Sequence, residues 1–75
     1  MKKVNLTGRK NVEKKLIDSA AELLGSIGPN QLSIRDIAVH AGVNHAQIHH
    51  YFGGKQGLLE ATYKQLAFEH MQQLE

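Results

Sequence analysis

The 75-residue chain contains no cysteine. That excludes a disulfide scaffold, a thiolate zinc site and a cysteine nucleophile. Stability without such staples points to simple helical packing, a partner subunit, or a larger protein of which this chain is a part. Proline occurs once, as Pro29, and the β-rich period-two alternation of strands is lacking. No apolar run approaches the roughly 18 residues needed to span a bilayer. The basic N-terminus is not followed by an apolar signal-peptide core, so the default compartment is the cytoplasm. Internal repeats and low-complexity segments are also lacking. A chain of this length holds one domain at most, and such a domain buries only about 60% of its unfolded surface. Too few residues remain to wall an enclosed catalytic cleft.

What is present is unevenly placed. The net charge of +2 averages two opposed parts. Residues 1–15 carry Lys2, Lys3, Arg9, Lys10, Lys14 and Lys15 against Glu13, a net of +5. Residues 16–75 carry Arg35, Lys55 and Lys64 against Asp18, Glu22, Asp36, Glu60, Glu69 and Glu75, a net of −3. A basic arm on a mildly acidic body suits a polyanionic partner. The same charges would also suit a solvated terminus.

Apolar spacing predicts four helices. From about Asn11 to Ile27, Val12, Leu16, Ala20, Leu23, Leu24 and Ile27 recur at intervals of three and four, one face of an amphipathic helix. Gly28-Pro29 ends it. Ser33 is placed as the N-cap of a second helix running to about His40. Asp36 is at the third helical position to complete a capping box, and Leu32 and Ile37 form a hydrophobic staple. Gly42 supplies a positive φ in the turn Ala41-Gly42-Val43. Asn44 caps a third helix from about His45 to Tyr51, and Gly53-Gly54 breaks it. Leu58, Leu59, Thr62, Tyr63, Leu66, Met71 and Leu74 mark a fourth helix that has no stop signal. The expected organisation is a flexible basic arm over residues 1–10, a three-helix domain over 11–54 and a helix over 55–75 leading into an absent C-terminal domain. The expected core is Leu16, Ala20, Leu23, Leu24, Ile37, Ala38, Val43, Ile48, Phe52, Leu58, Leu59, Thr62 and Tyr63. Leu66 to Leu74 is expected to expose an apolar face.

Two capped short helices joined by a glycine turn make a helix-turn-helix. Ala38 is small enough for the helices to cross closely, Gly42 reverses the chain, and Ile37, Val43 and Ile48 fill the angle between them. The third helix then presents Asn44, His45, Ala46, Gln47, His49 and His50 outward. In this motif that helix enters the major groove. The fold expected is all-α, a homeodomain-like helix-turn-helix bundle with the start of a long fourth helix.

The run Ser33-Ile34-Arg35-Asp36-Ile37-Ala38, then Ala41-Gly42-Val43-Asn44, Ile48, Phe52, Lys55 and Leu58-Leu59, resembles the DNA-binding domain of TetR-type transcriptional regulators. Leu16-Ile17-Asp18 through Leu23-Leu24 and Gly28 is similar to that family's first helix. The resemblance covers roughly residues 12–62. It implies a homodimeric repressor acting on a palindromic operator in double-stranded DNA. It also implies a further helical domain that binds a small-molecule effector and supplies the dimer interface; no effector site, cofactor or membrane contact is expected in these residues. The sequence departs from the family pattern in places. Ala46 stands for a common glycine, His49 for a common tyrosine and Tyr51 for a common histidine. Gly54, Gln56 and Gly57 replace small or acidic residues.

Residue chemistry assigns the contacts. The amides of Gln47 and Asn44 can pair with adenine, and the fork of Arg35 suits guanine or phosphate. Ser33 and Tyr51 can donate to phosphate oxygens. Lys55 adds charge to the free amides of a helix start. Arg9 and Lys10 are candidates for arm contacts in the minor groove or on the backbone. Each has an ordinary alternative: capping for Ser33 and Asn44, a surface ion pair for Arg35, solvation for Gln47 and Lys55. His45 and His49 share a helix face, but lack a third ligand for a metal. His45, His49 and His50 read better as part of a polar, DNA-facing surface. His40 and His70 are expected at the surface without a role. A helical protein-interaction module and a non-specific nucleic-acid binder are the rival functions. An enzyme is disfavoured, because Ser, His and acid residues occur at no interpretable spacing.

Overall fold

The computed structural model describes residues 9–73, in four helices. They are α1 (Arg9–Ile27), α2 (Ile34–Ala41), α3 (Ala46–Phe52) and α4 (Lys55–Gln73). The all-α bundle expected from the apolar spacing is what forms. Lys2 and Lys3 of the basic arm, and Leu74 at the other end, lie outside the described residues.

Helix α1 starts three residues before Val12, the first residue of the apolar stripe. Arg9 and Lys10 therefore form its first turn instead of the end of a flexible arm. The correction has a simple cause: polar residues ahead of the stripe prolong a helix without leaving a periodic mark, and Arg and Lys are good helix formers. Leu16 and Ala20 are buried on its inner face, with Val12, Leu23 and Leu24 packed beside them. The helix closes with the Gly28 amide donating to the Leu24 carbonyl at 3.2 Å.

Helix α2 is capped at both ends as the sequence indicates. The Ser33 hydroxyl accepts from the Asp36 amide at 3.1 Å, and the Asp36 carboxylate accepts from the Ser33 amide at 3.4 Å. Asp36 also places a negative charge at the positive end of the helix dipole. At the other end Gly42 has φ +72°, a left-handed conformation that costs glycine nothing. The Gly42 amide donates to Val39 and the Val43 amide to Ala38, a Schellman closure. That closure turns Val43 back onto the core and launches the chain toward α3.

The core gathers Leu16 and Ala20 of α1, Leu32 ahead of α2, Ile37 and Ala38 of α2, Ile48 of α3, and Leu58 and Leu59 of α4. Thr62 is also buried, its hydroxyl donating to the Leu58 carbonyl at 2.8 Å. Helix α1 packs against α2 and α4, and α3 packs against α4. Two expectations need correction. Tyr63 is 49% exposed, because it lies about 100° around the helix from Thr62, the residue that takes the inward position. Leu32, expected as a staple residue, is fully buried and is a core residue in its own right. Leu66, Phe68 and Met71 are exposed. The strip of α4 that continues the inward line past Thr62 is polar, with Gln65 and Glu69 facing α1 across a cleft.

The corner between α3 and α4 is tight. Gly53 and Gly54 carry the chain around it, and the Leu58 amide donates to the Gly54 carbonyl at 3.1 Å. Gly57, in the first turn of α4, lies against the Phe52 backbone. A Cβ there would collide with the Phe52 carbonyl oxygen and sit 2.9 Å from its carbon. Glycine is required by this close approach, which seats α4 directly against the end of α3.

Candidate nucleic-acid interface

Helix α3 is short, and its fixed point is Ile48, which is fully buried. Everything opposite Ile48 on the helix must face outward. Ala46, His49 and His50 do, and all are exposed. Gln47 and Tyr51, one turn apart on a flank, are half-buried. The rings of His50 and Tyr51 lie 4.9 Å apart at 57°, a tilted contact that limits both side chains.

The start of α3 is capped by Asn44. Its side-chain oxygen accepts from the Ala46 amide at 2.9 Å, and its carbonyl accepts from the Gln47 amide at 2.9 Å. His45 stands between them with a helical backbone and makes no capping bond through its side chain. The capping use of Asn44 is therefore formed. Its amide NH2 group points two donors elsewhere, and the engaged oxygen keeps one lone pair for a second partner.

Arg35, Asn44 and His45 come together. They line one shallow concavity between α2 and the start of α3, floored by Ala38, Val39 and Val43. Ser33 is exposed one turn away at the α2 cap, its oxygen engaged with the Asp36 amide and its hydroxyl proton still able to donate. Lys55 is half-buried at the first position of α4. A cation there adds to the positive end of a 19-residue helix.

The arm candidates are placed differently. The Arg9 side chain lies outside the described residues. Lys10 lines a separate cleft with Glu13, Lys14, Ile17 and Asp18 of α1 and Gln65 and Glu69 of α4. In that cleft Lys14 pairs with Asp18 at 2.9 Å. The hydrogen bond and charge of Asp18, with a smaller contribution from Glu69, hold the Lys14 ammonium above its ordinary pKa.

One cluster escaped the sequence reading. His40 Nδ1 lies 2.9 Å from the Ser19 hydroxyl and its Nε2 lies 3.5 Å from a Glu22 oxygen. The residues are 21 and 18 positions apart in sequence, so no local spacing could reveal them. Ser19 is 5% exposed, which leaves no room for a substrate at its hydroxyl. Among the described residues, no group of three or more His, Cys, Asp or Glu side chains is arranged to hold a metal ion. No described helix is long and apolar enough to cross a membrane.

The family model of bacterial regulatory proteins of the tetR family matches residues 16–62, most of the chain. The chain belongs to the TetR family. The TetR match opens at Leu16 and closes at Thr62, both fully buried, so it spans the whole core from α1 to α4. Over 53 residues the chain is 43% identical to the HTH-type transcriptional regulator BetI 2 of Chromohalobacter salexigens, covering 71% of this chain and 26% of that protein. Over 56 residues it is 43% identical to the HTH-type transcriptional regulators BetI of Brucella anthropi and Brucella canis, covering 75% of this chain and 29% and 28% of those proteins. The chain thus spans little more than a quarter of the length of the curated TetR relatives it matches. No solved structure matches it.

Proposed function

We propose that the chain is the DNA-reading part of a transcriptional repressor, which binds a palindromic operator by placing α3 in the major groove. The observation that carries this reading is the pairing of two capped helices across the Gly42 turn. It buries Ile48 and turns Ala46, His49 and His50 outward, with Gln47 on the flank. The relatives named as transcriptional regulators support it.

In this reading Gln47, and Arg35 with Asn44 beside it, contact base edges, while Ser33, Tyr51 and Lys55 hold phosphates. His45, Ala46, His49 and His50 complete the groove-facing surface, and Arg9 and Lys10 add backbone contacts from the start of α1. The three helices of residues 11–54 read the operator in the cytoplasm. Residues 55–75 lead toward a further helical part, which supplies the homodimer interface and takes a small-molecule effector. The greater length of the relatives supports that arrangement.

The test is binding to a short palindromic duplex selected from a random-sequence pool, measured against random DNA across a salt series. A sequence reader keeps a specificity ratio as salt rises, whereas affinity that tracks salt alone would reassign the chain to non-specific binding. Absence of salt-dependent binding would leave a protein-interaction module.

A further inference from the structure

We infer that His40 is a positioning residue for DNA binding, acting through Ser19 to set the seat of the helix-turn-helix on α1. The inference rests on the DNA-reading function proposed above.

The geometry is specific. Nδ1 lies within hydrogen-bond distance of the Ser19 hydroxyl, at 2.9 Å, and Nε2 faces the Glu22 carboxylate at 3.5 Å. A hydroxyl can donate or accept, so the Ser19–His40 bond forms with either imidazole tautomer. Ser19 is buried, and no buried side-chain polar atom of the described residues lacks a partner. Without His40 the Ser19 hydroxyl loses its partner across the helix interface.

The core beneath this seam is apolar, with Leu16, Ala20, Leu23 and Leu24 of α1 in one cluster with Ile37 and Ala38 of α2. Such a contact resists separation but resists sliding and rotation less, because dispersion has little directionality, whereas a hydrogen bond does. His40 sits in the last turn of α2, two residues before the Gly42 turn that launches α3. A small rotation of α2 at this point is therefore passed through the turn to Asn44 and Gln47. Ser33 and Asp36 fix the other end of α2 only to itself, so among the described residues the His40 side chain is the directional tie between this helix and α1.

The experiment uses the 75-residue chain and a duplex that it selects from a random-sequence pool. Affinity and thermal midpoint are measured for His40→Ala, Ser19→Ala, the double variant and His40→Asn, at a temperature where circular dichroism shows each fully folded. Asparagine places a polar atom where Nδ1 was. The expected result is a loss of affinity of about three- to tenfold for each single alanine variant, the scale of one hydrogen bond. The double variant should lose no more than either, and His40→Asn should recover most of the affinity. If the unmodified chain selects no duplex, the DNA-reading function falls and the positioning role falls with it. If the unmodified chain binds and the alanine variants bind equally well, with only their thermal midpoints lowered, His40 is a structural residue and the inference is overturned.

Discussion

The Cα of Gly57 lies directly against the carbonyl of Phe52, so that no side chain fits between the end of α3 and the first turn of α4. This contact joins the outward-facing helix to the helix that carries Lys55. It explains why a glycine stands at a helical position where it would otherwise be a poor choice. Gly57→Ala must open the corner. Forced overpacking of this kind costs about 1–3 kcal/mol, and about 1 kcal/mol lowers the midpoint of a domain this small by roughly 4–8 °C. Thermal unfolding followed by circular dichroism should show that drop, and an unchanged midpoint would mean that the corner relaxes freely.

Burial separates two apolar residues that look equivalent as sequence. Ile48 is fully buried and Tyr63 is 49% exposed. Ile48→Ala should cost about 2–5 kcal/mol in urea unfolding, a large share of the stability of a small domain. Tyr63→Ala, away from the core, should fall within about 0.5 kcal/mol of the native chain. Equal losses would show that Tyr63 packs inward after all.

Much of this fold was legible because its signals are local. Ser33 and Asp36 are three apart, Asn44 and Ala46 two apart, and the Gly42 turn is written in consecutive residues. The stripe from Leu16 to Leu24 gave the inner face of α1 in the same way. What stayed hidden depends on contacts between distant segments. Ser19 reads as a polar position on an amphipathic helix, and His40 as a surface residue, until α2 folds onto α1 and brings them to 2.9 Å. The close approach at Gly57 is likewise invisible, since the Phe52 carbonyl meets it only once the chain has turned the corner at Gly53-Gly54. Tyr63 departs from the expected core because a residue next to an inward position shares its periodicity to within one helical step. For the candidate contacts, residue types were readable in advance, but the joint placement of Arg35, Asn44 and His45 in one concavity needed the fold.

The two uses of Asn44 can be separated by Asn44→Asp. Aspartate caps as well as asparagine and suits the positive end of a helix, so thermal stability should be retained. Its added negative charge would face DNA phosphates, and it has lost the amide donors. Affinity for a selected duplex should therefore fall while the midpoint holds. Loss of both together would assign Asn44 to capping with a geometry that aspartate cannot copy. Unchanged affinity would remove it from the interface.

Lys14 carries the one pH-linked contribution identified among the described residues. Asp18 raises its folded pKa above the unfolded value, so the folded state holds the proton more tightly. The stabilisation is complete below the unfolded pKa and is lost as pH rises through the folded one. Asp18→Asn should return the Lys14 side-chain titration toward the ordinary lysine range, read by NMR at its terminal methylene. An unmoved titration would place the cause elsewhere.

Gln47 and Lys55 should fail in different ways, which is the sharpest check on how α3 and α4 divide the work. Gln47 is half-buried on the flank of α3, beside the residues that face the groove, and its amide can match one base edge with both a donor and an acceptor. Removing it as Gln47→Ala should cost about 1–3 kcal/mol against the preferred base and relax the preference at that one position. Lys55 stands at the start of α4, where its charge and the free amides of the helix meet a phosphate without regard to sequence. Lys55→Ala should weaken every duplex by a similar factor and reduce the slope of log affinity against log salt by about one. Competition binding against a set of singly substituted duplexes, repeated at several salt concentrations, reads both effects at once. A uniform loss for Gln47→Ala would move that residue to the backbone class. A base-selective loss for Lys55→Ala would mean that the start of α4 reaches into the groove, and that the half-buried lysine reads sequence along with α3.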